Sequence, residues 1–417
     1  MKRITFVIIT FCITLNVVAQ DFATMKSHCI PYFMNSDGNI KCIKIDSLVQ
    51  KETDSIFFPF RNIQELHYNC YDPEGYSWIG WKVILNEKEN IFFNWNNDSI
   101  IIKIDAVLNE SWTAYKDKNS LSVLATVVGY DTMSVIGFLD SVKTIEFKTY
   151  DKYMKFIDNE TSNRMIKISK NYGIIKSINF LYFPNIKAEL NYLEEFDLVG
   201  LSNPKVGLQN LTWYDVHDFN IYDELHTYYE YSDFDGVIGY LTEIRTKLTY
   251  INRQDYNDSI IYKIDREQDI FKRIEKADSI SYSFKHDTII ETIKLGSSDF
   301  DKLPDELILT ENKASANSME WGEFTSKTQP SIFDIIVHRD NDSCWHFINA
   351  DGCFTAYSYY KGLGGPYYKC TSTFSLGGIK NELVYYKKGN TSWGTPILFT
   401  KIDNILTYDN AFIYPNP

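Results

Sequence analysis

Ser99-Ile-Ile-Ile-Lys-Ile-Asp105 is the stretch that decides the fold class. Ile100, Ile102 and Ile104 recur at every second position, between residues that are mostly polar. Because successive side chains of a strand point to opposite faces, this period of two predicts a strand with one face on a core. The same alternation recurs at residues 144–148 and 165–169.

Turn-forming pairs separate such stretches, as at Asp37-Gly38, Asp235-Gly236 and Asp351-Gly352. The composition also favours sheet, since the 30 Tyr and 27 Phe fit half-buried, pleated surfaces. We therefore predict an all-β fold of antiparallel meanders, forming two or more β-sandwich or curved half-barrel units. Short helices are expected only near residues 60–68 and 186–196.

The length of 417 residues predicts two or three domains. A stretch with Gly and Pro at residues 200–207 interrupts the strand pattern, and a polar segment follows at 310–318. We expect an N-terminal β-rich domain over residues 20–200, a second β-rich domain over 208–300, and an aromatic-rich C-terminal β portion over 319–408.

The N-terminus has the features of a signal peptide. Lys2 and Arg3 precede an apolar run at residues 4–18, and small residues stand before Gln20. About 15 apolar residues are too few for a spanning helix, which needs roughly 20. We expect residues 1–19 to be removed, leaving a secreted or cell-surface protein with no integral membrane segment.

The chain is acidic, with a formal net charge of -13, and removal of Lys2 and Arg3 would make it -15. Such a surface repels nucleic acid phosphates and anionic membrane head groups. We therefore expect neither as a partner.

The last residues read Ala411-Phe-Ile-Tyr-Pro-Asn-Pro417. Tyr-Pro-Asn-Pro after an apolar residue resembles the opening of the C-terminal sorting domain of type IX secretion system cargo. In that family a compact β module follows, so the resemblance implies that residues 412–417 begin a sorting tail and that the chain is truncated. It also implies that the secretion machinery is a partner, and it carries over no catalytic residue.

Potential metal ligands are densest around Asp215, His217 and His226. On a strand Asp215 and His217 would share a face, and a hairpin could return His226 toward them. Their spacing matches no established zinc site, and a solvated strand edge is the alternative. These three are the candidate metal ligands.

A calcium site is a second possibility, because Asp233-Phe-Asp-Gly236 resembles half of an oxygen-ligand loop. An EF-hand would need carboxylates where Tyr231 and Thr242 stand, so that reading fails. An ordinary acidic turn is favoured.

Motifs for catalysis are lacking. The chain has no Gly-x-Ser-x-Gly elbow, and Gly362-Leu-Gly-Gly365 is too short for a dinucleotide fingerprint, so we predict no cofactor. Cys344 and His346 could share a strand face, but a structural cysteine is the favoured interpretation. The 55 acidic residues allow a carboxylate pair that sequence alone does not identify.

Function is therefore predicted as a non-catalytic binding or structural module that binds a glycan or an extracellular protein. A secreted glycoside or peptide hydrolase and a carbohydrate-binding module are the alternatives. A carbohydrate module predicts several exposed aromatic side chains in one plane. Five tryptophans could stack on sugars, although core filling is the favoured reading: Trp78, Trp81, Trp112, Trp345 and Trp393.

Six cysteines follow the signal peptide, in two clusters. A hairpin at Asp351-Gly352 would place Cys344 opposite Tyr359, too far from Cys353 for a disulfide. A hairpin at Asp37-Gly38 would likewise set Cys29 opposite Asp46, away from Cys42. We predict that Cys344 and Cys353 are not joined, and that the thiols are free or bridge the two ends of the chain.

Overall fold

The computed structural model of the chain is all-β, as predicted. It describes residues 22–399 except 27, 53, 68–69, 119–120, 185–192, 235–238, 276–278, 297–298, 331–334, 339–343, 349–355 and 372–376. In chain order the strands are β1 (Pro31–Met34), β2 (Ile40–Cys42), β3 (Ile45–Lys51), β4 (Asp54–Pro59), β5 (Asn62–His67), β6 (Cys70–Gly75), β7 (Lys82–Leu85), β8 (Glu89–Phe93), β9 (Ser99–Lys103), β10 (Ser111–Lys116), β11 (Ser122–Val135), β12 (Phe138–Tyr150), β13 (Phe156–Ile157), β14 (Met165–Ser169), β15 (Gly173–Ile178), β16 (Glu195–Leu201), β17 (Val206–Gly207), β18 (Glu224–Phe234), β19 (Gly239–Asp255), β20 (Ser259–Ile274), β21 (Ser279–Lys294), β22 (Leu307–Thr310), β23 (Lys313–Ala316), β24 (Ser318–Trp321), β25 (Thr325–Gln329), β26 (Ile335–His338), β27 (Trp345–Ile348), β28 (Tyr357–Tyr360), β29 (Gly364–Thr371), β30 (Gly378–Lys388) and β31 (Thr391–Gly394), with the helix α1 (Trp213–Val216) between β17 and β18.

The chain divides into two compact units. Unit 1 comprises residues 1–28, 45–58 and 78–198, and unit 2 comprises residues 29–44, 59–77 and 199–417. Both of the portions expected at 208–300 and 319–408 therefore lie in unit 2. The division is discontinuous in sequence because segments before residue 78 contribute strands to both units.

Unit 1 contains two antiparallel arrangements of strands. One has the order β3-β4-β7-β8-β9, and the other runs β10-β11-β12-β14-β15-β16 with β13 beside β12. Ile100, Ile102 and Ile104 are 0%, 0% and 6% exposed, which confirms that their alternation faces a core. The rings of Phe92 and Phe180 stack at 4.2 Å in the same unit.

Unit 2 is built on a long-stranded sheet with the order β21-β20-β19-β18-β30-β29-β28-β25-β24, and β31 pairs β30. A six-stranded sheet, β22-β23-β26-β27-β6-β5, lies in the same unit. The helix expected near residues 60–68 is wrong, because Asn62–His67 forms β5 and pairs with β6. Cross-strand pairing outweighed the helical spacing of a short apolar run, for which periodicity is ambiguous.

The second expected helix, at residues 186–196, lies largely outside the described residues, and its last two residues begin β16. In the described part of the chain the only helix is α1, of 4 residues. No helix there is long or apolar enough to cross a membrane.

A disulfide joins Cys70 in β6 to Cys344 just before β27, with Cα atoms 5.2 Å apart. This bridge between the two cysteine clusters confirms that Cys344 is not joined to Cys353. Cys29 and Cys42 are not disulfide-bonded, whereas Cys370 is. The prediction that the thiols are free or bridge the two ends therefore holds for Cys70 and Cys344 and is wrong for Cys370, whose disulfide partner is none of the three N-terminal cysteines Cys29, Cys42 and Cys70.

The hairpin registers behind that cysteine prediction were nevertheless wrong. β27 pairs with β26 and β6, whereas β28 pairs with β25 and β29, so Cys344 does not lie opposite Tyr359. Asp351-Gly352 itself lies outside the described residues. At Asp37-Gly38 the turn forms, but Tyr32 pairs with Cys42, one residue from the expected register, because the Asn35 side chain caps a longer turn.

Candidate functional site

The long strands of unit 2 extend well past its core. Strands β18, β19, β20 and β21 have 11, 17, 16 and 16 residues. One end of their sheet packs on a hydrophobic cluster that includes Leu225, Tyr250, Tyr262 and Leu363. Past that cluster most side chains on both faces are half-buried or exposed. Because successive residues of a strand point to opposite faces, the two faces carry different residue sets.

One face of this extension is rich in tyrosine. Tyr229 pairs with Asn381 of β30, which in turn pairs with Tyr368 of β29, so the three share one row across the sheet. The Tyr368 ring lies 5.4 Å from the ring of Tyr357. We call the following five side chains the tyrosine face: Tyr229, Tyr231, Tyr240, Tyr357 and Tyr368.

Two members of the tyrosine face are well exposed, Tyr231 at 39% and Tyr240 at 40%. Tyr231 follows Tyr229 by two residues on β18 and pairs with Thr242 of β19. Tyr240 lies two residues before Thr242, so the three tyrosines share one face. Burial raises the pKa of Tyr368, and the neighbouring Tyr229 and Tyr357 raise it further. The Tyr368 hydroxyl therefore stays protonated at neutral pH and can donate as well as accept hydrogen bonds.

The opposite face carries ion pairs and hydrogen bonds across the same strands. We call the following set the charged face: Glu224, His226, Tyr228, Glu230, Glu243, Arg245, Lys247, Glu267, Asp269, Tyr282 and Lys380. The Tyr228 hydroxyl lies 2.6 Å from Glu243 Oε1 and 2.8 Å from Glu230 Oε2. Lys380 Nζ lies 3.3 Å from Glu230 Oε2, so this carboxylate joins two neighbouring strands.

A second network on the charged face is centred on Asp269 of β20. Its carboxylate accepts hydrogen bonds from the Tyr282 hydroxyl at 2.7 Å and from Arg245 Nη2 at 3.1 Å. Asp269 is 3% exposed, so its carboxylate oxygens depend on these two donors for their hydrogen bonds. Charged side chains on this face are thus largely satisfied within the sheet.

His226 lies at the core end of the charged face and is 1% exposed. Its Nε2 is 2.9 Å from Glu224 Oε1, and its Nδ1 accepts a hydrogen bond of 2.8 Å from the Ile397 backbone N–H. Burial lowers the pKa of His226, while the hydrogen bond to Glu224 opposes that shift. The accepting Nδ1 identifies a neutral ring that carries its proton on Nε2.

The other two candidate metal ligands have structural partners. The Asp215 carboxylate accepts from the Thr212 backbone N–H at 2.9 Å and completes a capping box at the start of α1. His217 packs its ring at 4.2 Å from Trp213, and burial lowers its pKa. Among the described residues no group of three or more His, Cys, Asp or Glu side chains could hold a metal ion. Nothing in this geometry favours a metal there.

The remaining residues singled out from the sequence lie at turns or in the disulfide. Asp233 is the second-last residue of β18, whereas Asp235 and Gly236 lie outside the described residues. Cys344 is oxidised to a disulfide and is therefore structural, as favoured, rather than a nucleophile beside His346. Residues 361–363 form a turn in which Gly362 has a φ of 64°, which suits glycine.

The five tryptophans are divided between the two units, three in unit 1 and two in unit 2. Trp78 and Trp112 are buried in unit 1, where Trp78 lies 4.6 Å from the Phe196 ring and Trp112 Nε1 donates to the Ile101 carbonyl. Trp81 Nε1 donates to Asn97. Trp345 is half-buried in β27, and Trp393 packs against Phe324 and Tyr386.

Sequence reasoning missed the tyrosine face. The signal was present in Tyr228-Tyr-Glu-Tyr231, where alternate tyrosines must share a face if the stretch is a strand. The pairing that adds Tyr368 and Tyr357 spans more than 120 positions of sequence, and no local pattern specifies it. Comparison with known protein families, with curated proteins and with solved structures finds no significant match for this chain.

Proposed function

We propose that this chain is an exported, non-catalytic binding protein and that the tyrosine face of unit 2 binds a glycan. The leader-like residues 1–19 and the sorting-tail-like residues 412–417 support export, and both lie outside the described part of the chain. The tyrosine face carries the proposal, because it is an array of aromatic side chains on one sheet face with two members well exposed.

The chemistry of tyrosine suits a carbohydrate. Its ring offers a flat apolar surface of large area at little cost in conformational entropy, and its hydroxyl can hydrogen-bond a sugar. The row from Tyr357 through Tyr368 and Asn381 to Tyr229 crosses four adjacent strands. At about 4.8 Å between strands, that row spans roughly 14 Å, which matches two to three sugar units more closely than one.

A secreted hydrolase is the competing function. It would require convergent carboxylates or histidines with shifted ionisation in a deep cleft. The buried histidines instead hydrogen-bond Trp213, Glu224 and Ile397, as described above. This observation favours binding over turnover.

The test is a screen of the purified protein against an array of soluble oligosaccharides and polysaccharides, followed by product analysis of every ligand that binds. We expect binding of at least one glycan with no hydrolysis. Absence of binding to all glycans on the array would contradict the proposal. Hydrolysis of a bound glycan would establish the hydrolase instead.

A further inference from the structure

Strand β21 is the longest edge strand in the described part of the chain. It has 16 residues and stands at the end of its sheet, paired only with β20 among the described strands. The other strands at the ends of the sheets are short, with 3 to 7 residues. An edge strand offers unpaired N–H and C=O groups, and shortness is a common protection against pairing with another chain. β21 does not have that protection.

β21 also lacks two other usual protections of an edge. Its sequence, Ser279–Lys294, contains no proline, and its pairing with β20 is continuous, without a bulge that would twist the edge away. Charged side chains such as Lys285 and Glu291 remain, and they oppose pairing only where like charges meet. The arrangement of these charges therefore determines which chain can pair with β21.

One hydrogen bond at the end of the β20–β21 ladder shows which residues face the free edge. The Leu295 N–H donates to the Asp258 carbonyl at 2.7 Å, and these two residues continue the register in which Lys294 pairs with Ser259. In an antiparallel ladder, residues bonded to the neighbouring strand alternate with residues whose N–H and C=O point away. Odd-numbered residues of β21 therefore bond to β20, and the even-numbered residues from Tyr282 to Lys294 present their backbone groups to the free edge.

We propose that β21 pairs with β21 of a second copy of this chain, antiparallel and about a twofold axis at Thr288, so that the two sheets become one. A twofold axis perpendicular to the sheet brings the same edge of each copy together. Even-numbered residues then meet even-numbered residues, as the outward backbone groups require. This interface is independent of glycan binding.

The charges of β21 are self-complementary in this register. With the axis at Thr288, Lys285 of each copy lies opposite Glu291 of the other, so the interface contains two cross-strand pairs of opposite charge. The Lys285 side chain is 53% exposed. Glu291 is exposed and has no ion-pair partner among the described residues. The second copy supplies that partner.

Neighbouring registers match the charges less well. An axis at Asp287 would set that carboxylate opposite its own copy, and an axis at Ile289 would set Asp287 opposite Glu291. An axis at His286 would pair Lys285 with Asp287, which each chain already pairs within itself at 2.7 Å. Among these four registers, the axis at Thr288 alone gives Glu291 a basic partner.

The chain's own residues after Phe399 are the competing occupant of this edge. The Phe399 ring lies 6.2 Å from the ring of Phe284 in β21, and residues 400–417 lie outside the described part of the chain. Phe284 pairs with Asp269 and therefore lies on the charged face. Phe399 thus lies over a face of the sheet and not at its free edge, which favours a second copy as the occupant of the edge.

The mass of the purified protein in solution is the first test. Sedimentation equilibrium at about 100 µM should give twice the mass of one chain, and the mass should fall on dilution. A protein that stays monomeric at about 100 µM would overturn the proposal.

Thr288→Pro tests whether the edge is the interface. Proline at an outward position removes no hydrogen bond to β20 and is tolerated on edge strands, but it removes the N–H donor at the centre of the interface. We expect a folded monomer with unchanged circular dichroism. A folded Thr288→Pro protein that dimerises with unchanged affinity would overturn the proposal.

A charge swap tests the register and does not depend on proline being tolerated. Lys285→Glu places like charges opposite each other twice, and we expect it to raise the dimer dissociation constant at least about tenfold. Adding Glu291→Lys restores opposite charges between the copies and should restore the dimer. Lys294→Glu is the matched control, because the residue opposite it is Tyr282, and it should dimerise normally. A swap that does not restore the dimer would overturn the pairing about Thr288.

Hydrogen exchange resolved to single amides separates a second copy from the chain's own tail. The outward amides of His286, Thr288 and Ile290 should be protected at high concentration and exchange faster after dilution, because only the second copy bonds them. The inward amides of Asp287 and Ile289 bond to β20 and should stay protected at both concentrations. Protection of the outward amides in the diluted monomer would assign the edge to the chain's own residues and overturn the proposal.

Discussion

The two faces of the long-stranded sheet in unit 2 share the same backbone and differ in how their side chains are satisfied. On the charged face, Asp269 holds Tyr282 and Arg245, and Glu230 holds Tyr228 and Lys380. On the tyrosine face, Tyr231 and Tyr240 are exposed, and the half-buried rings of Tyr357 and Tyr368 lie 5.4 Å apart.

That difference separates stability from recognition. A sheet extension without a covering layer must be held by cross-strand pairs, and the charged face supplies them. The tyrosine face keeps apolar area and hydrogen-bonding groups available for a ligand. Variants of the charged face should therefore lower the free energy of unfolding and leave binding unchanged. Variants of the tyrosine face should weaken binding and leave the free energy of unfolding nearly unchanged.

The largest effect is expected on binding, from the double variant Tyr231→Ala with Tyr240→Ala. Loss of two ring contacts should weaken glycan binding roughly 30-fold, or about 2 kcal/mol, while unfolding changes little because both residues are well exposed. Calorimetry with a glycan from the array measures the affinity. Tyr256→Ala, at an exposed tyrosine outside this face, is the matched control and should bind normally. Equal affinity of the double variant and the control would contradict the assignment of glycan binding to the tyrosine face.

Asp269→Ala should have the next largest effect, on stability. It removes the acceptor of Tyr282 and Arg245, and we expect a loss of about 1.5 kcal/mol in the free energy of unfolding. The estimate is moderate because the Arg245 side chain is 44% exposed and can be rehydrated. Urea denaturation measures it, and glycan affinity should be unchanged. A binding loss without a stability loss would reverse the assignment of the two faces.

A smaller, local effect is expected at His226 on acidification. Burial holds its folded pKa below the value of about 6.5 typical of unfolded chains, so the unfolded state takes up more protons and stability falls as pH drops below about 6.5. Protonation of Nδ1 also removes the acceptor of the Ile397 N–H. The charged groups around the ring, Glu224 and Lys247, partly offset each other.

Hydrogen exchange at the Ile397 amide tests this prediction. Corrected for intrinsic rates, exchange should be faster at about pH 5 than at about pH 7. His226→Phe keeps an aromatic ring beside Tyr385 and should remove the pH dependence. His286→Phe, at an exposed histidine, is the control that should keep it. An unchanged pH dependence in His226→Phe would assign the effect to other groups.

The smallest effect is expected at the outer strand β21. Hydrogen bonds from Arg266 and then Lys285 lower the pKa of Asp287 to about 2. Because this carboxylate is accessible to solvent, Asp287→Asn should destabilise the protein less than Asp269→Ala does. Its effect should also fade in about 1 M salt, where the Debye length is roughly 3 Å. Denaturation in low and high salt measures the difference, and an effect larger than that of Asp269→Ala would contradict the ranking.

The local sequence pattern was enough to predict the class of fold, but not which strands pair with one another. The alternation at residues 99–105 predicts a strand with a buried face, and Ile100, Ile102 and Ile104 are buried. The same reasoning failed between Cys344 and Tyr359, because β27 and β28 belong to different sheets. Pairing partners are chosen by long-range packing, which hairpin rules based on turn residues do not include.

The site was harder to predict than the fold for the same reason. Tyr229 and Tyr231 could be placed on one face from sequence, whereas Tyr357 and Tyr368 join them only through β28, β29 and β30. The metal hypothesis took Asp215, His217 and His226 as one group because they are close in sequence. Each of the three has its own hydrogen-bond partner in the structure.

The central claim, that a glycan binds the tyrosine face, is tested most directly by nuclear magnetic resonance of protein labelled on its tyrosine rings. Titration with a bound oligosaccharide should shift the ring signals of Tyr229, Tyr231 and Tyr240. The signals of Tyr228 and Tyr282, on the charged face of the same sheet, should stay in place. Shifts confined to the charged face, or a bound glycan that shifts no signal of the tyrosine face, would contradict the account.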